Sequence, residues 1–263
     1  MNILYLGDIM GLPGIEVVES ELSKLRQSEH IDLVIAQAEN VSDGKSMTPE
    51  DMNRLLASGV DFFTGGNHTP KREELHSFLA DNNKPVIGPA NMRDCPGRGW
   101  KYINTSRGRV LIISLLGQIV GNSQPDSDNP LLVVDNILQE NEGADRVATI
   151  VNFHGDYSSE KRVIGYYLDS RVAAVIGDHW HVPTFDAMVL PQGTAHITDV
   201  GMCGTLHSSL GVELDSIIPR WRDGQLTKNF IDTSTPRQLN GVIVTVDTST
   251  GLAKNIRQIQ HII

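Results

Sequence analysis

The stretch VAAVIGDHWHV (172–182) begins as an unbroken apolar run, 172–176, and turns polar within two residues. A short apolar run rich in Val reads as a buried strand. In α/β folds, ligands gather just outside the carboxyl ends of such strands. His179 and His181 stand at that position. If the segment stays extended, side chains two apart share one face, and both imidazoles can reach one ion or two adjacent ions. Neutral imidazole is the commonest nitrogen donor to metals.

Similar runs recur at 3–6, 33–36, 62–63, 85–87, 110–116, 148–153, 194–197 and 242–246. Helical patterns lie between several of them. Residues 16–27 repeat apolar positions at Val17, Val18, Leu22 and Leu25, and 49–58 opens with Thr48 as N-cap ahead of Pro49. Early alternation of strand and helix predicts parallel pairing, while the later strands come with loops and fewer helices. The expectation is a layered α/β sandwich in one domain. No internal repeat is visible, and 121–130 reads as a surface loop rather than a domain linker.

The residues that follow each run are unusually polar: Asp8, then Glu39 and Asn40, then Asn67 and His68 in GGNH, then His154, then His179 and His181. Each has an ordinary explanation alone, as a helix cap, a tight turn or a buried histidine. Together, five strand ends offer carboxylate, amide oxygen and imidazole with no cysteine, which suits mixed N/O coordination of Mn, Fe or Zn. Two cations about 3.5 to 4 Å apart can clamp a phosphoryl group and lower the pKa of a bridging water. Glu39 is the candidate bridge. Asp8, Asn40 and Asn67 would complete the shells with His154, His179 and His181. His68 follows Asn67 and points elsewhere if the segment is extended, so it is the candidate acid for the leaving alkoxide.

The chain has 263 residues, of which 40% are hydrophobic and 21% charged, as in a soluble globular protein. A net charge of −10 argues against a broad grip on duplex nucleic acid, but allows a small phosphorylated ligand held by metal ions. Cys95 and Cys203 are too few for a disulfide framework, so a reduced, cytoplasmic setting is expected. The start lacks the basic region of a signal peptide, and the longest apolar stretch, around 110–120, is too short to span a bilayer.

Seven ordered motifs carry a resemblance: YLGDIMGLPG (5–14), AENVSDGKSMT (38–48), GGNHT (65–69), PANM (89–92), NFHGDYSSEK (152–161), AAVIGDHWHVPT (173–184) and ITDVGM (197–202). Together they resemble the YmdB-type bacterial metallophosphoesterases, a branch of the calcineurin-like superfamily. The resemblance implies a four-layer αββα metallophosphatase sandwich with mixed sheets, spanning 1–263 as one domain. It also implies a binuclear centre of iron or manganese, with zinc as a third choice, and phosphodiesterase activity on 2′,3′-cyclic or 3′,5′-cyclic nucleotides by a metal-bridging hydroxide. Carried over position by position, Asp8, Glu39, Asn40 and His181 would hold one metal, and Glu39, Asn67, His154 and His179 the other, with His68 as the catalytic histidine.

The chain departs from that pattern locally. Met10 stands where the wider superfamily has histidine, an absence the branch shares. Pro70-Lys71-Arg72 replaces a Trp-Asp continuation, Gly155-Asp156 replaces Ala-Glu, and Asp178-His179-Trp180-His181 replaces Thr-His-Thr-His. These flank the metals and bear on substrate choice. Trp180, opposite its histidine neighbours if the segment is extended, is expected to pack into the core rather than to stack on a base. Asp178 either orients a ligand imidazole or caps a turn, and His196 either lines the cleft or is buried beside the sheet.

Two other functions compete. A metal-dependent amidohydrolase also uses a His-x-His pair, but normally after its first strand, where this chain has Gly-Asp. A regulatory member would bind nucleotide or a protein partner with little turnover. The expected partner is a small phosphodiester or cyclic nucleotide, without duplex nucleic acid or membrane. A homo-oligomer could use 121–130 or 206–214.

Overall fold

The computed structural model describes residues 1–121 and 124–263. Its first third follows the expected alternation. β1 (Asn2–Leu6) passes through Gly7 into β2 (Asp8–Ile9), followed by α1 (Gly11–Ser28), β3 (Leu33–Gln37), α2 (Pro49–Ala57) and β4 (Phe62–Thr64). α1 starts ahead of the expected 16–27, because Pro13 sits in its first turn, where a missing N–H breaks no helical bond. α2 is capped as expected: the Thr48 hydroxyl accepts from Asp51 N at 3.2 Å. The expected strand at 85–87 is a single parallel bridge, Phe63 with Val86. Pro85 has no N–H to extend that ladder. A short helix, α3 (His76–Ala80), precedes it.

The later part holds more helix than the sequence suggested. β5 (Trp100–Thr105) and β6 (Gly108–Leu116) form an antiparallel pair, and the 121–130 loop, of which residues 122 and 123 lie outside the described residues, leads into α4 (Pro130–Glu140). Asn129 caps that helix, accepting from Leu131 N at 2.9 Å. Then come β7 (Ala148–His154), α5 (Ser158–Tyr167), β8 (Ala174–Asp178), β9 (Met188–Val189), β10 (Ala195–Ile197), β11 (Met202–Thr205), α6 (Leu214–Asp223), β12 (Arg237–Asp247) and β13 (Leu252–Ile262).

Two mixed sheets result. One runs β2-β11-β12-β1-β3-β4 with β13 on the far edge of β12, and the other runs β5-β6-β7-β8-β10-β9. Strand alternation sorts side chains into three apolar layers. Ile3 and Tyr5 of β1 face Ile112, Ile150 and Ile176 of the second sheet. Leu4 and Leu6 face the opposite way, against Val18, Leu22 and Leu25 of α1. On the outer face of the second sheet, Val151, Phe153 and Val175 pack on Val134 of α4 and Ile164 of α5. The order is helix, sheet, sheet, helix. Truncating a fully buried residue such as Leu22 to Ala would cost about 2–5 kcal/mol. No helix among the described residues is long and apolar enough to cross a membrane.

β1, β3 and β4 are parallel neighbours in one sheet, and β6, β7, β8 and β10 in the other. Their carboxyl ends bring the polar residues to one edge of the space between the sheets. In that register His154 pairs with Asp178 across β7 and β8.

Candidate metal centre

Two glycines permit the crowding at this edge. A Cβ at Gly7 would lie 2.1 Å from Gly201 O, so only glycine lets the chain pass there and turn Asp8 inward. A Cβ at Gly66 would lie 2.3 Å from Glu39 Oε2 and 2.4 Å from the His154 ring, so the GGNH turn closes over these two groups only without a side chain.

All eight residues selected from the sequence meet here. Glu39 is central and almost fully buried. Its Oε1 lies 3.2 Å from His154 Nε2 and 3.5 Å from His68 Nδ1, and its Oε2 accepts from His68 N at 2.8 Å. Ligand atoms of Glu39, His154 and His179 all lie within 4.8 Å of one another. On one side, Asn67 Oδ1 lies 3.2 Å from His154 Nε2, and the His179 ring stands 4.5 Å from that of His154, centroid to centroid. On the other side, Asn40 Nδ2 lies 3.2 Å from Asp8 Oδ1, 3.4 Å from Glu39 Oε1 and 3.3 Å from His181 Nε2. His68 Nδ1 completes the group, 2.8 Å from Asn40 Oδ1.

The donor set suits cations. Three acceptors converge on the Asn40 amide, which has two protons to give, and two oxygens converge on the single His154 Nε2. A positive ion relieves such an excess of lone pairs, and carboxylate, amide oxygen and imidazole are its usual donors. Buried carboxylates also need a positive partner. Burial would raise the pKa of Glu39, but the adjoining His154 outweighs it and holds the carboxyl at about 2. Burial likewise opposes ionisation of Asp8, yet His181 keeps it below the usual carboxylate range. His154 moves the other way: burial disfavours its charge, and Glu39 with Asp178 pushes its pKa well up. Burial and the His154 charge push His179 down to about 4, so its ring is neutral and has a lone pair to offer.

The route by which His179 and His181 arrive differs from the expectation. The segment is not extended: β8 ends at Asp178, and the two histidines have φ of +100° and +61°. A left-handed turn, rather than strand alternation, aims them inward. Their supports are polar. His179 N donates to Asp8 Oδ2 at 3.3 Å, His179 Nε2 sits 3.3 Å from Asp156 Oδ2, and His181 Nδ1 donates to Leu210 O at 3.0 Å. His68 is not extended either. It has helical dihedrals and starts the 3-10 turn Thr69–Lys71, which is how it diverges from Asn67.

Trp180 is half-buried rather than in the core. Its indole N–H donates to Asp156 O at 3.1 Å, and its ring centroid is 4.2 Å from Lys161 Nζ. His196 lies away from the cluster, buried against Gly165 of α5. Asp178 orients an imidazole: its Oδ1 lies 2.7 Å from His154 Nδ1, while its Oδ2 accepts from Gln37 Nε2 at 3.0 Å, from Tyr5 OH at 3.1 Å and from Asn152. A carboxylate on the far nitrogen of a metal-binding histidine fixes its tautomer and raises its basicity.

The sequence reading missed the pair beneath this turn. Lys161 is fully buried and donates to Asp178 O at 2.6 Å and Asp199 Oδ2 at 2.7 Å, and Asp199 in turn accepts from Trp180 N at 2.9 Å. The available signal was spacing: Lys161, Ile164 and Leu168 recur at helical intervals on a buried face, so the lysine needed a buried anion. The PANM motif is also structural, as Asn91 brackets Leu116 with bonds of 2.7 Å to its N and O.

Two sheets between helical layers, with carboxylates, imidazoles and amides gathered at the strand ends, define a metallophosphoesterase-type protein. Comparison with known proteins narrows the class. The model of the YmdB-like protein family matches residues 4–259. A Bacillus subtilis 2′,3′-cyclic-nucleotide 2′-phosphodiesterase is 35% identical over 98% of this chain and 96% of its own. A crystal structure of a Mycoplasma pneumoniae phosphatase superposes with a TM-score of 0.91 at 29% identity, covering 100% of this chain and 93% of that one. A Thermus thermophilus protein described as hypothetical gives 0.89 at 30% identity, covering 100% and 99%. The chain belongs to the YmdB-like family.

Proposed function

We propose that this protein is a metal-dependent phosphodiesterase that opens 2′,3′-cyclic nucleotides, with 3′,5′-cyclic nucleotides as further substrates. The observation that carries the reading is the placement of Glu39 between two groups, Asp8 and His181 with the Asn40 amide, whose Oδ1 now faces His68 and would have to serve a cation as well, on one side and Asn67, His154 and His179 on the other. That arrangement suits two cations, iron or manganese, sharing Glu39. The similarity to the Bacillus subtilis enzyme supports the substrate class. When bound, such cations supply positive charge at the phosphoryl oxygens and make a water acidic near neutral pH.

The protein's own groups have separate tasks. Asp178 holds the His154 ring so that Nε2 faces Glu39 and Asn67. Leu210 O takes the Nδ1 proton of His181 and leaves Nε2 to bind. Asn40 Oδ1 takes the Nδ1 proton of His68, and the ring, one-third exposed, keeps Nε2 for the substrate. Burial pulls the His68 pKa below the ordinary imidazole value, against Glu39, so the imidazolium, the form that carries a proton on Nε2 as well as on Nδ1, is the minor form near neutral pH and a stronger acid than a free one. As water adds to the phosphorus of the cyclic phosphate and loses its proton to solvent, one P–O bond to the ribose breaks and the departing alkoxide takes the His68 proton. The free Cys95 and Cys203 fit a reducing cytoplasm.

The test is hydrolysis of bis-p-nitrophenyl phosphate and 2′,3′-cyclic AMP by protein loaded with manganese. Asn67→Ala should lose metal and most turnover, and His68→Ala should lose about 10²–10⁴-fold in turnover with metal content kept. An Asn67→Ala variant as active as the parent would refute the site. No turnover by metal-replete protein would favour a regulatory nucleotide binder.

A further inference from the structure

Beside the metal centre lies a second cavity, of about 580 Å³, whose charge runs against that of the molecule. The chain carries −10 overall, yet this wall presents Lys45, Arg72, Arg220 and Lys228 against one carboxylate, Asp43. The arginines are already engaged. Arg72 donates to Lys45 O and Ser42 O, each at 2.9 Å, and lies 3.3 Å from Asp43; Arg220 bonds Thr227 O and Asn229 Oδ1. Lys45 and Lys228 are exposed, and among the described residues neither ammonium has an ion-pair partner. In the same wall the Thr227 hydroxyl is buried and has no hydrogen-bond partner among the described residues. Met10, Val212 and Ile231 supply apolar surface.

Three sides of the cavity belong to segments that build the metal centre. Met10 lies two residues past Asp8. The loop bearing Lys45 is tied to the turn after His68 by Ser46 Oγ, which donates to Thr69 O at 2.6 Å. Val212 lies two residues past Leu210, whose carbonyl fixes His181. The cavity thus adjoins the segments that carry Asp8, His68 and His181. Free cations, an unpartnered hydroxyl and an apolar strip are what a nucleotide asks for: charge for its phosphate, a donor for an oxygen, a surface for its base.

Resting on the phosphodiesterase reading, we infer that the preferred substrate is a short single-stranded oligonucleotide whose 3′ end carries the cyclic phosphate. The nucleotide joined to the 5′ side of the reacting one occupies the Lys45–Lys228 cavity, and its linking phosphate meets those two ammonium groups. The volume is ample for a nucleotide and far larger than a phosphate alone requires. The acidity of the rest of the chain limits the grip to this one unit, so long or duplex polymers gain nothing more.

The test compares kcat/KM of manganese-loaded protein on 2′,3′-cyclic AMP, on its 5′-phosphorylated form, and on the dinucleotide ApA ending in a 2′,3′-cyclic phosphate. The dinucleotide should exceed cyclic AMP by about tenfold, as one desolvated phosphate contact provides, and the ratio should shrink as salt is raised. In a Lys45→Ala/Lys228→Ala double variant the ratio should fall to near one. A parent ratio near one overturns the inference while turnover of cyclic AMP keeps the phosphodiesterase reading intact. A ratio unchanged in the variant overturns the role of the lysines. An equal gain from the 5′-phosphate alone overturns the nucleotide part, since the cavity would then read charge only. Failure to hydrolyse any of the three sinks the underlying function instead.

Discussion

His154 and His196 are both fully buried on strands of the same sheet, and both flank β8, yet their chemistry is opposite. His154 points between the sheets and pairs in register with Asp178; His196 points outward beneath α5 and pairs with Val175. Two carboxylates push His154 well above the ordinary imidazole pKa. Among the described residues His196 has only Val175 O, at 3.2 Å on Nδ1, and no partner on Nε2; burial, opposed by Asp186, pushes it down to about 4. Burial alone does not suit a histidine to a metal. The cross-strand neighbour decides, because it sets whether the ring is offered to acceptors or sealed among carbons.

The sharpest way to break this contrast is to truncate each ring. His154→Ala removes a donor that Glu39 and Asn67 both face, so manganese content should fall and phosphodiester turnover should drop by about 10³-fold. His196→Ala should leave metal content and turnover within a few-fold of the parent while lowering stability by roughly 1–3 kcal/mol. Metal analysis by mass spectrometry and urea unfolding separate the two outcomes. Equal metal loss in both variants would mean that the distinction drawn from Asp178 and Val175 is wrong.

A smaller effect should appear as pH changes. The folded-state pKa of His196, about 4, lies below its unfolded value. The neutral ring is favoured, so its contribution is complete above pH ~6.5 and is lost as pH falls toward 4. The lowering amounts to about 3 kcal/mol at full extent. His196→Leu removes the proton site and keeps an apolar side chain, so between pH 7 and 4 the parent should lose about 3 kcal/mol more than the variant in urea titrations. Parallel curves would show that His196 does not titrate between these limits.

Much of this contrast was legible before the structure. Asp8, Glu39, Asn40 and His154 each follow a continuous apolar run, and parallel packing of those runs leaves their ends at one edge. Asp178 was ambiguous because cap and imidazole partner differ only in what lies across the sheet, which a single strand does not encode. The left-handed His179 and His181 were hidden because glycine and asparagine, not histidine, signal positive φ. β13 escaped for a plainer reason. Its buried residues, Ala253, Ile256 and Ile259, fall three apart, a helical interval: the register shift near Thr245 brings Ala253 and Ile256 to one face, and Ile259 is buried on the other. Ile256 and Ile259 then face different layers.

The finest test of the same rule sets a buried carboxylate against a half-exposed one. Asp178 holds His154 at 2.7 Å with both partners sealed from solvent, whereas Asp156 holds His179 at 3.3 Å with side chains 30% and 20% exposed. Asp178→Asn keeps the shape but weakens the acceptor for His154 and turns an amide N–H toward Gln37 and Asn152, which themselves donate there. Manganese affinity should fall by about 10–100-fold. Asp156→Ala leaves the His179 backbone anchored on Asp8 and lets water replace the lost oxygen, so affinity should fall by less than about tenfold. Calorimetric titration of both variants with manganese gives the ordering. A greater loss from Asp156→Ala would show that the turn, and not the strand, is where the protein fixes the proposed metal ligands.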